Sequence, residues 1–198
     1  VGQEGFSLAI RRFPSPRALQ GHPALVYAHG FGQTRGAWNR TGLAMAAHGY
    51  AGMAYDARGH GESDRNAAGL PYTGDQFADD LIVMAGEQPE PPVLVGASMG
   101  GLFGLIAESR WPGLFRGRAL WLRIDPGYGD GHRGQTSTGG RLAKFGLSAQ
   151  RVEEFVEVAR ALDVRITGVH AHLGSGIDNS AHWKVMVDEL AGFARRIG

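Results

Sequence analysis

Ser98 lies at the centre of Gly96-Ala97-Ser98-Met99-Gly100, a G-x-S-x-G stretch. It is preceded by the short apolar run Val93–Gly96 and followed by residues from Met99 that read as a helix. A serine hydroxyl is a weak nucleophile. A sharp strand-to-helix turn lifts it above a sheet, with small neighbours that let strand and helix pass closely. The helix start behind it favours developing negative charge. His29-Gly30-Phe31-Gly32 follows a second apolar run, Ala24–Ala28. The backbone N–H groups of Phe31 and Met99 are therefore candidate oxyanion donors for the tetrahedral intermediate of acyl transfer. A third polar stretch, Asp56-Ala57-Arg58-Gly59-His60-Gly61-Glu62-Ser63, ends the run Gly52–Tyr55.

The elements that must position these residues alternate. Weak alternation over Phe6–Arg11 predicts an edge strand, broken by Pro14 and Pro16. Ala24–Ala28, Gly52–Tyr55, Val93–Gly96, Ala119–Ile124 and Arg165–Ala171 read as buried strands. Helices are predicted over Trp38–Ala47, Thr73–Gly86, Met99 to about Ser109, Ser148–Leu162 and Ala181–Ile197. Phe77, Leu81 and Met84 recur at helical spacing, as do Val152, Phe155, Val156, Ala159 and Leu162. Short apolar strands alternating with helices give parallel βαβ units. The expected fold is α/β, a doubly wound and mostly parallel sheet with helices on both faces. The expected strand order is Gly52–Tyr55, Ala24–Ala28, Val93–Gly96, Ala119–Ile124, Arg165–Ala171, continuous in one sheet and one domain over 1–198.

The bulk numbers set bounds. At 198 residues, 43% hydrophobic and 20% charged, the chain can bury one sizeable core. Its net charge of +1, from 20 basic and 19 acidic residues, gives no footprint for nucleic acid. With no cysteine there is no disulfide, thiolate metal site or cysteine nucleophile. No apolar run approaches the ~20 residues of a membrane span, and no signal peptide is visible, so a cytoplasmic place is expected. No metal site is expected. The 32 glycines cluster in the predicted loops.

The motifs HGFG, YDARGHGES and VGASMGG, in this order and spacing, resemble the α/β-hydrolase superfamily over about residues 20–120, nearest its esterase and haloperoxidase-like members. The resemblance implies Ser98 as nucleophile and Phe31 and Met99 as oxyanion donors. Asp56 and His60 match positions that are usually structural there. His29, Asp56, Arg58 and His60 are read as residues that organise loops.

After Leu120 the text changes. Leu122-Arg123-Ile124-Asp125-Pro126-Gly127, then Thr138 to Gly146 (TGGRLAKFG), then Gly168 to Asp178 (GVHAHLGSGID) resemble diaminopimelate decarboxylase, a pyridoxal-phosphate barrel of the alanine-racemase type, over about residues 121–198. That family more often has Asn where Asp125 stands and Ser where Ala143 stands. The resemblance implies His172 as the histidine that stacks on the cofactor ring and Ser175 as a phosphate contact. Its aldimine lysine belongs to the first barrel strand. Lys144 is part of the KFG motif and does not match it, and Lys184 is the only other lysine. Without that lysine the cofactor cannot be held as an internal aldimine, so no cofactor is expected beyond vestigial binding at His172 and Ser175.

The joint is expected near 117–121, between a hydrolase-like segment (1–120) and a βαβα piece of a TIM-type barrel (121–198). Three readings follow. The chain is an engineered or recombined chimera without efficient native activity that retains the nucleophile turn. Or it is a weak serine esterase on a small ester, with a substitute acid and histidine: Ser98, Asp125 and His170 or His172 follow the order Ser, acid, His. Or its second segment retains phosphate or pyridoxal-phosphate binding. Substrate and oligomeric state are left open.

Overall fold

The computed structural model describes residues 5–16, 21–117, 119–125, 127–128, 146–161, 163–173 and 180–197. The chain divides into two compact units, Val1–Gly117 and Arg118–Gly198.

The first unit is built on four strands: β1 (Ile10–Phe13), β2 (Leu25–Ala28), β3 (Gly52–Tyr55) and β4 (Val93–Gly96). Their order is β1-β3-β2-β4. β2 is the centre, parallel to β3 with Leu25 opposite Gly52 and parallel to β4 with Leu25 opposite Val93. All four residues of β2 are buried, as a strand covered on both faces must be. β1 runs antiparallel along β3. It forms later in the chain than the alternation at Phe6–Arg11 suggested, because Phe13 anchors it. Phe13 packs edge-on against Tyr27 at 5.8 Å and lies under Gly42, where a side chain would collide with its ring.

Helices cover both faces of this sheet. A 3₁₀ turn (Arg35–Trp38) leads into α1 (Asn39–Ala47). Ala46, Met45 and Trp38 pack with Phe13, Leu25, Tyr27 and Ala54. On the opposite face, α2 (Gly74–Gly86) and α3 (Met99–Arg110) pack with Val26, Ala28, Met53 and Tyr55. α2 starts at a reciprocal capping box between Thr73 and Gln76, which satisfies two orphan N–H groups. Phe77 and Phe103 stack at 4.5 Å where α2 meets α3.

The second unit has β5 (Ala119–Asp125), the two-residue β6 (Leu147–Ser148) and β7 (Arg165–His170), in the order β6-β5-β7 and all parallel. The register of β5 on β7 slips between Leu120 and Trp121: Leu120 pairs Ile166 and Trp121 pairs Gly168, leaving Thr167 as a bulge. α4 (Ala149–Ala161) and α5 (Ser180–Ile197) bury Val152, Val156 and Phe193 against Leu122 and Ile124. Alternation therefore places Trp121, Arg123 and Asp125 on the other face of β5.

Mostly parallel sheets with helices packed on them bear out the expected α/β class. The expected order is found in two parts, β3-β2-β4 and β5-β7. The single continuous sheet is not found: the strands form two sheets, and among the described residues β4 and β5 are not hydrogen-bonded neighbours. No helix among the described residues is long and apolar enough to cross a membrane.

Candidate active site

Ser98 occupies the turn between β4 and α3 with φ 51° and ψ −112°. For a non-glycine residue this is strained, at a cost of roughly 1–3 kcal/mol. The packing around it imposes the turn. A side chain on Gly96 would come within 2.7 Å of the Gly101 nitrogen, and one on Gly100 within 2.6 Å of the Ala28 carbonyl carbon. Ala97 N–H donates to Ala28 C=O at 3.0 Å, extending the β2–β4 ladder up to the serine, and Leu102 N–H donates to Ser98 C=O at 3.0 Å, starting the helix. The serine side chain makes no capping hydrogen bond and is exposed, at the positive end of a 12-residue helix with no acidic residue in its first turn.

The loop after β2 lies against this turn. A Cβ on Gly30 would be 3.5 Å from Ser98 Cβ. Gly30 N–H donates to Gln33 Oε1 at 3.0 Å, and Gln33 N–H to Gly30 C=O at 3.2 Å, so the loop closes on itself. Among the described residues, neither the Phe31 nor the Met99 N–H donates to a protein acceptor. Phe31 is 82% exposed, with its ring edge-on to His60 at 5.9 Å.

His29, Asp56, Arg58 and His60 organise this end of the sheet. The His29 ring is buried, receives the Ala57 N–H on Nε2 at 2.9 Å and contacts Gly30 C=O through Nδ1 at 2.8 Å. Asp56 is fully buried. It accepts from Arg35 N–H at 2.6 Å and Glu62 N–H at 3.0 Å, and pairs with the Arg35 guanidinium, which also pairs with Glu62. Gly61 at φ 51° leaves the space that Asp56 fills. Arg58 makes a two-pronged ion pair with Asp80 of α2 at 2.6 and 2.7 Å, both side chains 1% exposed, and lies over the Phe6 ring at 4.5 Å. Burial, and then the Asp80 charge, push the Tyr55 hydroxyl far above its ordinary pKa. Gln33, Arg35 and Asp80 were not singled out from the sequence. Asp80 is legible in hindsight, since it lies one helical turn from Phe77 on the buried side of α2.

The remaining candidates belong to the second unit. Asp125, at the end of β5, accepts the Gly127 N–H at 3.0 Å, a local turn bond. His170 ends β7 opposite Arg123; partial desolvation, the Arg123 charge and His172 all lower its pKa. His172 is exposed just past β7. Ser175 and Lys144 lie outside the described residues.

Pyridoxal chemistry needs an aldimine lysine. Among the described residues the one lysine is Lys184, exposed on α5, a helix that packs on the Leu122/Ile124 side of the sheet, whereas His170 pairs with Arg123 of the other side. On that other side, the Trp121 indole covers Gly168, where a Cβ would come within 2.7 Å of Cε2. These residues do not fit a cofactor held as an internal aldimine.

Comparison with known proteins gives two families in sequence. A family model described as serine aminopeptidase, S33, matches residues 20–121, more than half of the chain. One described as pyridoxal-dependent decarboxylase, pyridoxal binding domain, matches residues 109–198. A diaminopimelate decarboxylase of Streptomyces coelicolor is 39% identical over 62 residues, 31% of this chain and 14% of that protein. An epoxide hydrolase of Caballeronia sordidicola is 34% identical over 95 residues, 48% of this chain and 29% of that protein. A crystal structure of an epoxide hydrolase from Vigna radiata superposes with a TM-score of 0.53 at 20% identity, over 60% of this chain and 37% of that one, a likeness of fold. The chain thus spans well under half the length of each of these relatives.

Proposed function

Since the chain belongs to the serine aminopeptidase S33 family through residues 20–121, we propose that it keeps that fold's nucleophile at Ser98 but performs neither parent chemistry efficiently. It is a recombined or engineered chimera of a hydrolase segment and a decarboxylase-barrel segment, and small esters are the substrates it would take. The observation that carries this reading is the strained Ser98 turn, with an exposed, uncapped hydroxyl at the start of α3 and Gly30 against its side chain. Ser98 Oγ would attack an ester carbonyl, the oxyanion would be received by the Met99 and Phe31 N–H groups, and the alcohol would leave as the acyl-serine forms. The step needs a base to take the serine proton. A hydrolase would supply it from a segment after the fourth strand, and in this chain residues 109–198 match the barrel family instead.

We expect p-nitrophenyl acetate hydrolysis little above background. Its small Ser98-dependent part disappears in Ser98→Ala and is unchanged in His170→Ala and His172→Ala. A burst of p-nitrophenol that needs Ser98 and either histidine would replace this reading with a working substitute triad. Added pyridoxal phosphate, reduced with borohydride, should leave no adduct beyond the level set by surface amines. A stoichiometric adduct on one lysine would show that the barrel segment retained its cofactor.

A further inference from the structure

His29 has a bonding pattern that fixes its protonation state. The Ala57 backbone N–H can only donate, so Nε2, 2.9 Å away, carries no proton. The Gly30 carbonyl can only accept, so Nδ1, 2.8 Å away, carries it. The ring is 1% exposed. It bridges the loop after β3, through Ala57, to the loop after β2, through Gly30. Gly30 in turn lies against Ser98 and is directly followed by Phe31.

Resting on the Ser98 reading above, we propose that His29 is a positioning residue that holds the Gly30–Phe31 oxyanion loop only while its imidazole is neutral, so that the Ser98 site loses its oxyanion donor when the ring takes a proton. A proton added at Nε2 points at the Ala57 N–H, and a hydrogen bond becomes a contact between two donors. The bridge then opens from the Ala57 side. His29 remains joined to Gly30 C=O, so the displacement passes into the loop that carries Phe31.

The surroundings work in the same direction. Burial lowers the His29 pKa most, opposed by the Gly30 carbonyl; the charge of His60 lowers it further, and Asp56 opposes. The His60 ring, from the loop after β3, lies 5.1 Å from His29. Asp56, from the same loop, is tied to Arg35. The folded-state pKa therefore lies below the ordinary 6.5. As pH falls through 6.5 the unfolded chain takes the proton first. The stability held by neutral His29 is complete above that pH and is lost as pH falls from there toward the folded pKa.

The test compares wild type, His29→Gln and His29→Ala. Glutamine keeps an acceptor for Ala57 and does not titrate. Ser98 phosphorylation by diisopropyl fluorophosphate, with fluoride leaving, is followed by intact mass from pH 4.5 to 8, and wild type is expressed as a ratio to His29→Gln, which cancels the pH dependence of the hydroxyl itself. The ratio should be flat above pH 6.5 and fall about tenfold one pH unit below the pKa that the nitrogen-15 spectra give for the ring, while His29→Ala labels slowly throughout. In wild type, nitrogen-15 spectra should show the Nδ1–H tautomer at neutral pH, with the Ala57 and Phe31 amides shifting together as the ring protonates. A ratio that stays flat while the ring protonates, or a ring that protonates without moving those amides, overturns the proposal. If no variant shows labelling that Ser98→Ala removes, the nucleophile reading fails, and the spectra alone still decide whether His29 holds the loop.

Discussion

Asp80→Ala is expected to destabilise the first unit by about 3–5 kcal/mol, because it removes the carboxylate that forms a two-pronged buried pair with Arg58. The Arg58 guanidinium is 1% exposed and takes both Asp80 oxygens, at 2.6 and 2.7 Å. It is buried and lies over the Phe6 ring. Several kcal/mol is a large part of the stability of a small domain, so the single variant should fall largely into the unfolded state well below the wild-type melting temperature. The double variant Arg58→Met, Asp80→Leu should recover most of the loss, because a buried pair exchanged for packed apolar groups is often neutral or better. Denaturant titration of wild type and the two variants measures both differences. A single variant as stable as wild type would show that the pair with Asp80 is not what holds Arg58 in place. A double variant as unstable as the single one would show that the pair fixes the shape of the loop and does more than neutralise itself.

The pair also shows where sequence reading stops. The strands around Ser98 were legible because each is a short apolar run ending in a polar motif, and β2, β3 and β4 formed at Leu25–Ala28, Gly52–Tyr55 and Val93–Gly96. The turn was legible because its glycines are demanded by contacts between neighbouring backbones, which Gly96 and Gly100 now make. Arg58 was visible as a loop residue, but its partner was not. Asp80 stands in Ala78-Asp79-Asp80, and only helical phase against Phe77 and Leu81 separates the buried carboxylate from its neighbour Asp79, which pairs with Arg110.

Sheet continuity was not legible either. Val93–Gly96 and Ala119–Asp125 are both apolar runs preceding helices or loops, and periodicity states that a strand is buried without naming its neighbour. Hydrolase order joins them; the observed hydrogen bonds place them in separate sheets, divided where the text changes family. The β7 bulge follows the same logic, since nothing in Arg165–His170 marks Thr167 as the residue left over. Of the candidate site, the turn that carries Ser98 was readable because it is local. Asp125, His170 and His172 were readable only as an order along the chain, and the structure places Asp125 in a local turn bond, His170 opposite Arg123 and His172 exposed past β7.

Gly100→Val should remove the Ser98 site and a measurable part of the stability together. The Cβ of any side chain at 100 would fall against the Ala28 carbonyl, which is backbone and cannot rotate away. The start of α3 must therefore move off β2, and overpacking of this kind typically costs about 1–3 kcal/mol. β2 runs directly into His29, Gly30 and Phe31, and Ala97 N–H is bonded to the same Ala28 carbonyl. One displacement thus shifts the Ser98 turn and the Gly30–Phe31 loop relative to each other. Misplacement by about 1 Å can cost on the order of 100-fold, so Ser98 phosphorylation by diisopropyl fluorophosphate should drop to the level of Ser98→Ala even at temperatures where the variant is fully folded. Gly101→Ala is the control one position along: its nearest contact would be 3.6 Å, ordinary packing distance, and alanine is the better helix former. It should label like wild type and melt no lower. If Gly100→Val labels as wild type does, the close approach of α3 to β2 is not what sets the serine, and the reactivity of Ser98 would owe nothing to the elbow.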